Sequence, residues 1–377
     1  MAFYGDATEV SAVVGMRDVA KKAGVSLSTV SLVVNNTGYV SADMRTKVEA
    51  AMQSLNYIPN ELARNLYHDR TNTVGVIVPT ISHPFFANLT AALQREFAAL
   101  GLRTMLCSTA DARDGEAEYV DMLRRHMMDG IVMAAHTEHA ADYWASIGRP
   151  VVAFDRRLGG SIPSVGSDHE QGGRLIAEHL IASGARHVVT VGGPRSQFEG
   201  LGERTTFPTS RYHLTLERLV EQAGIRWEYV DAGAVSDLES HARAARSIFD
   251  RFPDVDAIVG SDVVASYAVQ EAFRRGIRVS EDLQVIAYDG TYMADAAGMR
   301  LSSVRQDMDA LARRVAEYME RDIARSGSTS SAGRAGRTDA GAVVRDAGNA
   351  VVRDADEIGS SCDGVVPVTF VPADTTR

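Results

Sequence analysis

Cysteine is nearly absent from this chain: Cys107 and Cys362 are the only two in 377 residues, far apart in sequence. That excludes a disulfide framework or a cysteine metal motif and points to a reducing, cytoplasmic setting. Long apolar runs are lacking too. Stretches such as Val74–Val78 are strand-length, well short of the roughly 18 residues that a membrane span needs. Residues 1–15 carry Asp6 and Glu9 without a basic start, so they read as a disordered tail rather than a leader. Catalytic signatures are missing as well: no Gly-x-Ser-x-Gly elbow, phosphate-binding Walker loop or His-Glu-x-x-His occurs. His136 and His139 have helical ligand spacing near Glu138, but with no further donor they read as a polar helix start. The expectation is therefore no enzyme, no cofactor and no metal.

A net charge of −10 argues against nucleic acid until it is divided along the chain. Residues 16–70 hold seven Lys or Arg against five Asp or Glu, a slightly basic segment on an acidic body. Such a division lets one end meet phosphates while the body discourages adhesion elsewhere.

Residues 16–66 have the pattern of short helices and tight turns. Small Ala20 permits close helix approach, Gly24 permits a left-handed turn, and Val30 packs a second helix on the first. Alone, these three positions fit an ordinary helical hairpin equally well. In the second helix Val30, Val33 and Val34 form the inner face, and Ser26 suits the N-cap. Leu27, Ser28, Ser31 and Leu32 then point outward, where a recognition helix meets base edges. Thr29, Ser31, Asn35, Arg45 and Tyr57 are suited to phosphate contact.

From Thr73 onward apolar strands alternate with amphipathic helices, the mark of parallel sheets with helices on both faces. Strands are expected at Val74–Val78, Arg103–Cys107, Gly130–Met133, Val151–Phe154, His187–Val191, Trp227–Val230, Ala257–Val259 and Gln284–Tyr288, with an edge strand at Val365–Val371. More than 200 residues of this pattern suit two lobes. Residues 326–364 interrupt it with Gly, Ser, Ala and Asp and an imperfect repeat, DAGAVVR followed by DAGNAVVR, and read as a flexible insertion.

Residues 16–35, MRDVAKKAGVSLSTVSLVVN, closely resemble the headpiece of the lactose-repressor (LacI/GalR) family. The likeness continues through VSADMRTKV at 40–48, LNYIPN at 55–60 and ARNL at 63–66, and then through the body apart from the insertion. The resemblance implies an α/β chain with an all-helical helix-turn-helix headpiece and a hinge helix, followed by a two-lobed body like periplasmic binding proteins. Its boundaries would be 16–58 for the headpiece, 59–70 for hinge and linker, 71–167 plus about 305–325 for the first lobe, and 168–304 plus about 365–377 for the second. It also implies a homodimer on double-stranded, near-palindromic operator DNA, with a small-molecule effector, a sugar above all, and no membrane partner. The DNA-facing set becomes Leu27, Ser28, Thr29, Ser31, Leu32, Asn35, Tyr39, Arg45, Tyr57, Asn60, Ala63 and Leu66. Leu66 stands where the family wedges a leucine into the minor groove alongside Ala63; the plainer role is linker packing. Leu32 replaces an arginine common in the family, so it is able to touch a thymine methyl but not to read guanine; simple packing is its alternative.

In the body, Phe85, Phe86, Asp155, Arg211, Asp262 and Asp289 match family cleft positions. Carboxylates, a forked donor and flat rings suit a polyhydroxylated ligand. Asp155 and Asp262 serve equally well as helix caps, Phe86 as core, and Arg204 is the weaker of two candidate arginines. A sugar sensor or sugar-modifying enzyme without specific DNA binding is the competing reading. A dimer is expected over a tetramer, because the final residues FVPADTTR carry no apolar heptads.

Overall fold

The computed structural model describes residues 14–59, 70–110, 112–136, 139–140, 142–198, 209–335 and 364–377, with only the backbone of 327–335. Two units separate at Arg70/Thr71. Residues 1–13 of the expected tail, and the hinge positions Asn60, Ala63 and Leu66, lie outside the described residues, as does Arg204.

The described residues of the first unit form three helices: α1 (Met16–Ala23), α2 (Leu27–Asn35) and α3 (Ala42–Ser54). Gly24 ends α1 at φ +67°, a left-handed position that costs a side chain free energy, and its N–H returns to the Ala20 carbonyl. The Ser26 hydroxyl caps α2 by accepting from the Thr29 N–H at 3.1 Å. Val19, Ala20, Val30, Val33, Val48 and Ala51 are the buried centre, while Val34 packs on it only partly buried. So small a core has little area to spare, and its helices depend on these caps.

The second unit holds two six-stranded sheets. In the first, the order is β11 (Gly364–Val366), β5 (Ser164–Ser167), β4 (Val151–Phe154), β3 (Gly130–Met133), β1 (Thr73–Val78) and β2 (Arg103–Ser108), all parallel. The second runs β12 (Val368–Val371), β10 (Ser302–Gln306), β9 (Gln284–Asp289), β8 (Ala257–Ser261), β6 (His187–Gly192) and β7 (Arg226–Asp231). Only β12 is antiparallel to its neighbour there. Central strands are buried on both faces, so they read as continuous apolar runs.

Three expectations need correction. The single edge strand at 365–371 is two: β11 joins the first sheet and β12 the second, so residues 365–377 do not all belong to the second lobe. Residues 302–306 form a strand of the second sheet, so the return to the first lobe begins after Gln306. The helix Met308–Ala335 then buries Leu311, Val315, Met319 and Ile323 against the first sheet. It continues ten residues into the segment expected to be flexible, since adding a turn to an established helix is easy. The repeat itself lies outside the described residues. The chain thus crosses between lobes at Ser167–His169, Gln306–Met308 and Val366–Val368.

Candidate functional site

Two surfaces carry the sequence candidates, one on each unit. In the headpiece, Leu27 and Tyr39 are exposed, Tyr39 at 92%, which is unusual for apolar surface on a domain this small. Ser28 is exposed beside Leu27, and both line a shallow depression with Arg17 and Ser31. Hydroxyls on this rim are linked: Ser26 Oγ lies 2.7 Å from Ser28 Oγ and 2.8 Å from Thr29 Oγ1. Asn35 donates to Ser31 Oγ at 3.2 Å, and Arg45 donates to Asn36 Oδ1 at 3.1 Å, bringing α3 to the end of α2. Leu32 is half-buried and leans over Gly38, so packing takes part of its side chain. Tyr57 rests on the headpiece core, where burial raises its phenol pKa.

In the body, a cavity of about 480 Å³ opens between the sheets at the carboxyl ends of their strands. That is where open parallel sheets leave a crevice. Phe85 and Phe86, at the start of the helix Pro84–Ala99, form one wall, their rings 5.2 Å apart and edge-on. Asp155 follows β4 at φ +52°, and Asp289 ends β9 at φ +118°. Both are rare conformations for an aspartate, held by the surrounding structure and concentrated at functional sites. Asp289 accepts from Gln306 Nε2 at 2.8 Å, and Gln306 Oε1 accepts from Ser167 Oγ at 2.7 Å. Burial raises the Asp289 carboxyl well above the usual range, with Asp262 adding to the effect.

Arg211 and Asp262 stand elsewhere. The Arg211 side chain is 42% exposed and lies 3.7 Å from Glu170, outside the cavity lining. Asp262 is buried and accepts from the Gly290 and Thr291 amides at 3.1 and 2.5 Å and from Thr291 Oγ1 at 2.6 Å. It braces the loop after Asp289, and burial pushes its pKa up to about 6. Its neighbour Ser261 lines the cavity instead.

The histidines His83, His213 and His241 were not anticipated, nor were Tyr212 and Gln306, and His136, expected in a polar helix start, lies outside any helix and lines the cavity with them. Burial lowers His83 to about 4 and His213 to about 3, so both are neutral near pH 7. Isolated histidines carry no periodic signal, and only the fold brings these four together. Tyr212 stacks on Tyr288 with ring centres 3.9 Å apart. The Arg156 guanidinium is buried and donates to the carbonyls of Phe154, Ala135 and Ala134 at 2.9, 2.6 and 2.6 Å. His139 pairs with Glu116 at 2.7 Å and stacks on Tyr143. Among the described residues no set of three or more His, Cys, Asp or Glu is arranged to hold a metal. No described helix is long and apolar enough to cross a membrane.

Comparison with known proteins matches residues 15–60 to "Bacterial regulatory proteins, lacI family". Residues 71–323 match "Periplasmic binding proteins and sugar binding domain of LacI family". The sucrose operon repressor of Streptococcus mutans is 32% identical over 308 residues, covering 82% of this chain and 92% of that protein. The ribose operon repressor of Bacillus subtilis is 32% identical over 294 residues, covering 77% and 86%. Among solved structures, the lac repressor dimer bound to operator and the anti-inducer ONPF aligns at TM-score 0.71 and 22% identity. It covers 96% of this chain and 99% of that one, a likeness of fold.

Proposed function

We propose that this chain, which belongs to the lacI family of bacterial regulatory proteins, is a cytoplasmic repressor that binds a near-palindromic operator as a homodimer and senses a sugar between its lobes. It is a DNA-binding transcription regulator and not an enzyme. The observation that carries the sensing half is the meeting of Asp155 and Asp289 with Phe85 and Phe86 in one interlobe cavity. Carboxyl groups make directional bonds to hydroxyls, and the rings cover the apolar face of a pyranose or furanose. Gln306 orients Asp289 from the crossover strand, and Tyr212 extends the aromatic wall. Arg211 contributes little in this reading, because it faces Glu170.

On the headpiece, Leu27, Ser28, Ser31 and Leu32 read bases, while Thr29, Asn35, Tyr39, Arg45 and Tyr57 position the unit on phosphates. Asn60, Ala63 and Leu66 remain the hinge contacts that the family likeness proposes. Ligand acts by binding one lobe arrangement better than another; equal affinity for both would shift nothing.

The test is calorimetric titration of the full chain with sucrose, ribose, cellobiose and lactose, and with adenine and guanine. Binding of a sugar that is lost in Asp289→Ala and kept in Arg211→Ala supports the reading. Binding of a purine base alone, or sugar binding that survives Asp289→Ala, refutes it.

A further inference from the structure

His83 and His241 face each other across the cavity from different lobes. His83 lies between β1 and the helix Pro84–Ala99 of the first lobe, and His241 lies on the helix Leu238–Arg251 of the second. Their ring centres are 6.2 Å apart at an interplanar angle of 82°, and both residues are buried, at 4% and 5% exposure. His83 has a further task. Its Nδ1 caps its helix by accepting from the Phe85 N–H at 3.4 Å, and its ring packs edge-on against Phe86 at 6.0 Å.

Each feature penalises a proton on His83. Protonation removes the capping lone pair and places a cation at the positive end of a sixteen-residue helix. It also buries a charge opposite a second imidazole, and opening the lobes relieves that penalty by admitting water. We propose that His83 and His241 form a proton-sensitive latch, holding the lobes closed while both rings are neutral and releasing them as the rings take up protons.

The surrounding charges leave this sense unchanged. Asp237, the cap of the second-lobe helix, is the carboxylate that favours a proton on His241, yet burial outweighs it and the pKa is lowered. For His83, burial and then His241 lower the pKa to about 4, with no compensating carboxylate. The other ionisable groups around the cavity are Asp155 after β4, Asp289 from β9, Arg156, His136, His213, Tyr212 and Tyr288. Asp155 and Asp289 are engaged by His169 and Gln306. The closed pKa lies below the open value of about 6.5. Closure is therefore fully supported above that pH, weakens as pH falls, and levels off near the closed value. Within this window each displaced proton changes the closed-to-open ratio by up to about tenfold per pH unit.

The experiment places spin labels on the lobes of the full-length protein through Gln94→Cys and Arg246→Cys, both exposed, in a Cys362→Ser background. Cys107 is buried and stays unlabelled. Diluting labelled with unlabelled chains isolates the distance within one chain. The latch predicts that the interlobe distance lengthens between pH 7.5 and 5.0 in the parent. It stays constant in His83→Asn/His241→Gln, where Asn still caps the helix. A parent distance that ignores pH, or a double variant that opens like the parent, overturns the proposal. Imidazole NMR on the unsubstituted chain, with both rings assigned by the loss of their signals in His83→Asn and His241→Gln, is an independent check: the latch predicts that they take up protons over the pH range in which the distance lengthens. Rings that stay neutral while the distance lengthens, or that take up protons while it stays constant, contradict it.

Discussion

Asp155 and His169 join the two lobes of the body: both carboxylate oxygens lie within hydrogen-bond reach of His169 Nε2, at 2.8 and 2.9 Å. Asp155 follows a strand of the first sheet, and His169 opens the helix His169–Ala182 of the second lobe. The ring's other nitrogen is 2.7 Å from the Tyr288 hydroxyl on β9. One buried chain of polar groups thus runs from sheet to sheet, and Asp155 and Tyr288 in it also line the cavity. Removing one link strands the next, since a buried polar group without a partner costs more than the bond was worth. Tyr288→Phe is expected to destabilise the body by about 1–3 kcal/mol in urea titrations. An unchanged midpoint would mean that the chain is not maintained in solution.

Gly166 on β5 leaves room for that contact. A Cβ there would fall 2.6 Å from Asp155 Oδ1 and 3.3 Å from its Cα. Gly166→Ala is expected to cost about 1–3 kcal/mol and to weaken effector binding by displacing Asp155. Melting curves and ligand titration on the same preparation separate the two effects. Normal stability and affinity in the variant would show that Asp155 is free to move.

Stability should also follow pH through His213. Burial, then Arg195 and His169, hold it near 3, below the unfolded value of about 6.5. The folded state therefore takes up its proton later than the unfolded one. The contribution is complete above pH 6.5 and declines as pH falls toward 3, by up to about 1.4 kcal/mol per unit. His213→Gln is expected to flatten the urea midpoint between pH 6.5 and 4. Parallel profiles for parent and variant would place the sensitivity elsewhere.

The headpiece separates reading from positioning. Arg45→Met is expected to weaken binding to every duplex alike and to lower the salt slope by about one. Leu32→Ala should instead alter preference at one position in each half-site. Binding assays over a salt series on matched and scrambled duplexes distinguish these outcomes. A sequence-dependent loss from Arg45→Met would contradict the assignment.

Much of this architecture is legible in the sequence because its strands are buried on both faces and read as apolar runs. The strands that escaped notice are β5, Ser-Val-Gly-Ser, and β10, Ser-Ser-Val-Arg-Gln, whose small and polar residues serve the crossovers. Ser167 and Gln306 are examples: they hydrogen-bond between lobes, a task that no local pattern announces. Asp155 and Asp289 were foreseeable as strand-end carboxylates. Asp262 had the same local look and Arg211 stands at a helix start, but their partners, the Gly290–Thr291 amides and Glu170, are set by tertiary packing. The histidine cluster was hidden for a similar reason, since its members span residues 83 to 241.

Selection of bound sites from a random duplex library with the purified full-length protein tests the central claim most directly. Two recognition surfaces on a symmetric dimer should enrich a near-palindrome, its half-sites related by a twofold axis. The preferred base opposite Leu32 should be one that presents a methyl rather than a guanine edge. Recovery of a single asymmetric half-site, or of no motif with or without the sugar panel, would contradict the account of a dimeric repressor reading DNA through α2.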